Sequence, residues 1–368
     1  MKDAFYSELA DRAMNGRQID DAACRSVLSS PDIDLMNLLH SAYRVRKHYW
    51  GNAVTIHIID NVQNGSCSQD CRYCAQSKSS NAPIRPYPFK SDDEILLEAR
   101  QAFEAGAFRH CLVFSGYGPS SERIKHLVKI IREIKRRYHP MQVCVSPGVI
   151  NDEQARILKD AGLDRLNHNL NTSEPHYSKI CSTHTFRDRL QTIKAARHAG
   201  LEICSGIIVG LGEGPDDIIS VARLLRENSA ASIPVNFLIP IEGIDLPEPK
   251  NLTPEYCLRV LCLFRFINPK AEIRMAAGRE IHLRSLEVLG LYPANSLFLE
   301  GYLNAKGSSR VKTLRMIKDA GFTIKSEKSL DELLENEKLT FDNTPQDSPI
   351  ALKSLADLHP GVMAEKKG

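Results

Sequence analysis

The spacing of apolar and polar positions switches repeatedly between two periods along this chain. Short runs rich in β-branched and aromatic residues predict strands at 53–60 (AVTIHIID), 107–115 (AFRHCLVFS), 141–146, 163–170, 201–209, 231–238, 271–276 and 293–299. Between them the apolar positions recur at helical spacing. SDDEILLEARQAFEAG opens on a Ser cap and closes on Gly. INDEQARILKDAG, TFRDRLQTIKAARHAG, GPDDIISVARLLREN, TPEYCLRVLCLFRFI, REIHLRSLEVLG and SRVKTLRMIKDAG continue the alternation. Eight strands each followed by a helix predict an α/β fold, a (β/α)8 TIM-type barrel; an open doubly wound sheet shares the strand count and is the alternative. Residues 17–48 read as helical, so a helical segment (1–48) precedes the barrel (49–326). From 327 the pattern stops. KSLDELLENEKL suits one short helix, and the rest, rich in Pro, Asp and Lys, predicts a mostly flexible tail over 327–368.

Composition narrows the classes. Of 368 residues 42% are hydrophobic and 25% charged, as in globular proteins. A net charge of +3 gives no electrostatic case for nucleic acid or an anionic membrane. No run approaches the roughly 20 apolar residues of a membrane span. The N-terminal MKDAFYSELADRAMNG carries early acids and no apolar core, so no secretory signal is expected and a cytoplasmic location is. In that reducing setting the 10 cysteines are not a disulfide scaffold: clustered ones read as metal-binding or catalytic, and lone buried ones as core fillers.

The cluster is NGSCSQDCRYCAQS, which holds Cys67, Cys71 and Cys74 just after the first predicted strand. Structural zinc takes four ligands, and no fourth Cys or His lies nearby. Three soft thiolates on a four-iron cluster leave one iron open to a small molecule; a zinc knuckle closed by a distant residue is the other reading. Cys111, Cys144 and Cys204 fall on the second, third and fifth predicted strands and Arg274 on the seventh, where strand alternation can turn them toward the barrel interior. A barrel core of small thiols with a salt-bridged Arg is the plainer account of that set.

The spacing Cys67-x3-Cys71-x2-Cys74 resembles the hallmark of radical S-adenosylmethionine (SAM) enzymes. The resemblance implies a [4Fe–4S] cluster whose open iron chelates SAM, which is cleaved to a 5′-deoxyadenosyl radical, with Tyr73 near the adenine. Several segments, in one colinear order over about 45–325, resemble the biotin synthase family: the cluster loop followed by Tyr87 and Pro88, LNHNLNTSEPHY (166–177), CSGIIVGLGE (204–213), SIPVNFLIPIEG (232–243), IRMAAGRE (273–280) and PANSLFLEGYLNAKG (293–307). This implies sulfur insertion into dethiobiotin, and an auxiliary [2Fe–2S] sulfur donor held by Cys111, Cys144, Cys204 and Arg274. It further implies SAM contacts from Asn169, Asn171, Gly206, Gly210 and Glu213, and substrate contacts from Asn169 and Asn236. A flavodoxin- or ferredoxin-type electron donor and a homodimer also follow from it.

From the residues alone, buried Asn169 and Asn236 need internal hydrogen bonds. Gly206 and Gly210 permit close backbone approach, and His168 reads as a ligand or, more plainly, a satisfied core group. The chain departs from the common family pattern at CLVFSGYG (111–118), and at Asn171, where the pattern has Asp. Cys181, in KICSTHTF, is a further candidate ligand of the auxiliary cluster. A lipoyl-synthase-like enzyme and a non-catalytic, zinc-stabilised module are the rival readings. The first wants an N-terminal cysteine cluster, and residues 1–60 hold only Cys24.

Overall fold

A computed structural model describes residues 3–335 and 350–359. Its centre is a parallel barrel of β1 (Ala53–Asn61), β2 (Arg109–Val113), β3 (Gln142–Ser146), β4 (Arg165–Asn167), β5 (Glu202–Cys204), β6 (Ile207–Val209), β7 (Ser232–Phe237), β8 (Glu272–Met275) and β9 (Ser296–Phe298). Neighbours pair in chain order, with β5 and β6 sharing the fifth position against β7. Pairing of β1 with β9, Thr55 opposite Ser296, closes the ring. The open-sheet alternative is thereby excluded, and every predicted strand is present.

The fifth position is interrupted for a steric reason. A Cβ on Gly206 would lie 1.9 Å from the Pro234 carbonyl oxygen of β7. Only glycine lets the two backbones approach this closely, and the chain passes Ser205–Gly206 without a side chain toward β7.

Each predicted helix forms, with one change of kind. REIHLRSLEVLG is a short α-helix (Arg279–Leu283) running into a 3-10 segment (Arg284–Leu291). The sequence reading passes over the 17-residue helix Ser121–Arg137, although Ser120 caps it by accepting from the Arg123 N–H and its last turn carries Lys135, Arg136 and Arg137.

The N-terminal segment is three helices, α1 (Asp3–Met14), α2 (Asp21–Ser29) and α3 (Leu35–Trp50). They pack on helix Pro254–Ile267, whose residues from Cys257 to Ile267 are all buried. Cys24, Cys257 and Cys262 lie in this core, their thiols pushed up by burial, so they are fillers. All ten cysteines are unpaired. Among the described residues no helix is long and apolar enough to cross a membrane.

The tail departs from expectation where it is described. The Lys306 N–H donates to the Ala351 carbonyl (3.0 Å) and the Lys353 N–H to the Asn304 carbonyl (2.9 Å). Leu355–Leu358 forms one helical turn, Leu358 is buried, and the His359 ring stands 4.4 Å from that of Tyr87. The polar composition concealed this because part of the attachment is backbone hydrogen bonding, which side-chain composition does not report. The rest of the expected mobile stretch, 336–349 and 360–368, lies outside the described residues.

Candidate active site

The loop after β1 delivers Cys67, Cys71 and Cys74 to the C-terminal end of the barrel, the end that carries catalytic loops in this architecture. The loop is folded on itself: the Cys74 N–H donates to the Cys71 carbonyl (3.0 Å), the Cys67 N–H to the Gln76 carbonyl (3.3 Å), and the Gly65 N–H to Gln76 Oε1 (3.0 Å). The three thiols share the wall of one cavity of about 260 Å³ with Tyr73, Asn169, Asn171 and Asn236. Burial pushes the Cys74 thiol up to about 11, whereas Cys71 is raised first by its hydrogen bond with Cys181 and then by burial. Three thiols on the wall of one cavity, which Cys181 behind Cys71 does not reach, suit a four-iron cluster with one iron left for a ligand from the cavity.

A polar web fixes the wall opposite. Asn171, held at φ 70° after β4, donates to the Tyr73 hydroxyl (2.6 Å). Asn169 Oδ1 accepts from the Gly206 N–H (3.0 Å). Asn236 donates to the Ile207 carbonyl (2.9 Å) and accepts from the Ala277 N–H (3.2 Å). Arg189, unnoticed in the sequence, ties these together: it donates to the Asn169 carbonyl (2.8 Å), to Tyr73 (3.4 Å) and to His184 Nε2 (2.9 Å). His168 also lines the cavity; its Nε2 has no partner, and burial, with Arg189 and His184, holds its pKa well below the usual imidazole value.

Gly206, Gly210 and Glu213 are not on the cavity wall; at this strand the wall is Ile208. Each has a structural role of its own. Gly206 admits β7, and Glu213 accepts from the backbone N–H groups of Gly210 (2.8 Å) and Leu211 (2.7 Å), pinning its own turn.

Deeper in the barrel, Cys111, Cys144, Cys204 and Arg274 line a second void, of about 20 Å³. Cys111 and Cys144 are register partners across β2 and β3. Hydrogen bonding to Cys144 is the largest influence holding Cys111 and Cys204 well below the usual thiol value; it outweighs burial, and Arg274 reinforces it. Arg274 Nη1 approaches Cys204 Sγ at 3.8 Å, and Asn167 Nδ2 donates to the same sulfur at 3.3 Å. Three convergent thiols and a guanidinium suit a small iron–sulfur cluster by donor chemistry. Beneath them lies a buried ionic layer: Glu272 is 3.1 Å from His57 and 3.4 Å from both Arg109 and Arg165, and pairs with Arg274. Burial opposes ionisation of Glu272, but these cations win and hold its carboxyl well below the usual range.

Cys181 is not part of the deep set. Its sulfur lies 3.8 Å from Cys71 Sγ and 3.2 Å from His184 Nδ1. Its loop is anchored there by Asp70, which accepts from the Ser182 (3.0 Å) and Thr183 (3.1 Å) N–H groups. The structure thus sets Cys181 beside the cluster loop and apart from Cys111, Cys144 and Cys204. Cys71, Cys181 and His184 lie close enough for a metal ion, but Arg189 must donate to His184 Nε2, which leaves the proton on Nδ1, facing Gln69 Oε1 (3.0 Å) and Cys181. The group is a hydrogen-bonded flank of the cluster loop.

Four residues that the sequence reading did not single out join the sites: Val113, Ser146, Asn167 and Tyr302 line both the mouth cavity and the deep void. The signal for Asn167 was present in the NHN run, one strand alternation from Asn169.

Residues 64–225 match the family described as the Radical SAM superfamily, and residues 234–323 match the Biotin and Thiamin Synthesis associated domain. A radical SAM enzyme, with a [4Fe–4S] cluster and SAM as its cofactors, is the class that this barrel and its thiol-bearing loop define. Methylornithine synthase has the same fold, with a TM-score of 0.73 and 22% identity over 85% of this chain and 96% of that one. The chain is 54% identical to a biotin synthase of Magnetococcus marinus, across 86% of this chain and 98% of that protein. It is 52% identical to one of Acaryochloris marina, across 90% and 96%. The chain belongs to the biotin synthase family.

Proposed function

We propose that this enzyme inserts sulfur into dethiobiotin to form biotin. When bound, the [4Fe–4S] cluster with SAM supplies a 5′-deoxyadenosyl radical and an auxiliary [2Fe–2S] cluster supplies the sulfur. Cys67, Cys71 and Cys74 would hold the first, and Cys111, Cys144, Cys204 and Arg274 the second. The observation that carries the reading is the stacking of two thiol sets in one barrel, with Asn167 and Tyr302 on the wall of both cavities.

The chain's own residues bind and orient. Tyr73 and Asn171, bonded to each other, present an aromatic face and an amide beside the cluster loop, suited to an adenosyl group. Asn236 on the mouth wall and Asn167 on the wall of both cavities present amides in which a ureido ring would find donors and acceptors. Ile208, Phe114 and Leu238 line the mouth cavity and keep water from a reactive carbon centre. A flavodoxin- or ferredoxin-type donor, a homodimeric state and a cytoplasmic location belong to the same reading. Its support there is family membership and the reducing surroundings that unpaired thiols require.

Anaerobic incubation with SAM, reductant and dethiobiotin, followed by mass detection, tests it. Biotin and deoxyadenosine are expected from the native protein, and neither from Cys71→Ala. Cys144→Ala is expected to keep SAM cleavage and lose biotin; an unchanged biotin yield would overturn the auxiliary-site assignment. A colourless, zinc-loaded protein after anaerobic purification would overturn the whole reading.

A further inference from the structure

A second chamber, of about 660 Å³, lies outside the barrel ring. Its walls are β1 and β2, helix Asp92–Glu104, the start of helix Arg310–Asp319 and the docked segment 350–359. It shares no residue with the thiol-lined sites except Ile59, which also borders the deep void, and Leu303, which also borders the mouth.

Three features there ask for a ligand. His110 sits on β2 next to Cys111 and so faces the opposite side of the strand, into the chamber. It is fully buried, and neither ring nitrogen has a partner. An unmade hydrogen bond at a buried polar atom is costly, so something that bonds the imidazole belongs here. The ten-residue helix Arg310–Asp319, capped by Ser309, opens onto the same space. Its first turn offers backbone N–H groups and the positive end of the helix dipole. Lys353 lines the chamber, and its ammonium makes no hydrogen bond or ion pair among the described residues.

The acids on the wall are already engaged. Glu98 pairs with Lys90, Glu300 with Arg310, and Asp357 caps Ser354 and lies 3.6 Å from Lys306. Burial also pushes the Glu98 carboxyl up. Among the described residues one cation and one helix terminus are therefore left without a bonded acid. Ile58, Leu299, Val311 and Leu358 form the aliphatic part of the lining, beside the polar Asn61 and Gln101.

We propose that this chamber is a binding site for an organic anion, a carboxylate on an aliphatic chain. The carboxylate meets Lys353, His110 and the first turn of helix Arg310–Asp319, and the chain lies along the aliphatic wall. The site is separate from the mouth cavity, so it can be filled while the barrel is occupied.

Octanoate is the probe, because it lacks the ureido ring that the mouth would grip. Calorimetric titration into the anaerobic, cluster-loaded protein is expected to show saturable binding. Lys353→Met and His110→Phe are each expected to weaken it at least tenfold, with the visible spectrum and deoxyadenosine formation unchanged. Inorganic phosphate, which lacks the chain, is expected to bind at least tenfold more weakly. Absence of octanoate binding, binding indifferent to both substitutions, or phosphate binding as tightly as octanoate would overturn the proposal. Because the readout is heat of binding, failure here leaves sulfur insertion untouched.

Discussion

Cys181 is a useful residue on which to separate nearness in sequence from nearness in space. It stands 107 to 114 positions beyond the cluster loop in numbering yet touches Cys71, 3.8 Å away, through the Asp70-anchored turn. Cys181→Ala is therefore expected to leave the auxiliary cluster's iron and its visible absorption in place, whereas Cys144→Ala removes them. Iron counting and absorption spectra on the two reconstituted variants check this. Gly206 carries a second prediction. An alanine methyl would meet the Pro234 carbonyl, so Gly206→Ala is expected to cost about 1–3 kcal/mol of stability through overpacking. Denaturant unfolding measures it, and a neutral result would show that β7 can shift. The sequence marked Cys67, Cys71 and Cys74 because local spacing alone brings three ligands together. It could not mark Arg189 or His184, whose meaning lies in partners on other strands and loops.

At the scale of elements, the strands were legible because a buried parallel strand is a short apolar run bounded by turn residues. The split of β5 from β6 was not, since it depends on one close contact with β7. Segment 350–359 was misjudged because part of its attachment is main-chain, which side-chain composition does not report. The ionic layer beneath the deep thiols is likewise a product of several strands: His57 from β1, Arg109 from β2, Arg165 from β4, Glu272 and Arg274 from β8. One carboxylate compensates three guanidiniums there. Glu272→Gln keeps the shape and removes the charge, and is expected to cost about 3–5 kcal/mol, as breaking a buried ion pair does. Glu202→Gln, whose side chain is 53% exposed beside Arg165, is the control, expected to cost under about 1 kcal/mol. Equal effects in urea titrations would show the inner layer to be incidental.

For the whole molecule, burial sets the acid limit. His57, His110, His168 and His282 all have pKa values held below 6.5, with burial the largest cause in each. Unfolded, they take up protons as pH falls through about 6.5; folded, they resist until lower pH. Their stabilisation is thus complete above that value and is lost on acidification toward the folded pKa values. The unfolding free energy is expected to fall with a slope of up to about 1.4 kcal/mol per pH unit for each histidine. Denaturant midpoints between pH 6.5 and 5, recorded under argon, check this, and a flat profile would contradict it.

The same ionic layer also bears on how the enzyme is recharged. If the deep thiols hold the proposed sulfur-donating cluster, the guanidiniums and carboxylate that close the barrel beneath them leave the mouth, among the described residues, as the entrance for replacement iron and sulfide. Under the proposed function SAM and dethiobiotin would share that doorway, so repair and turnover would have to alternate, with refuelling only after both guests had left.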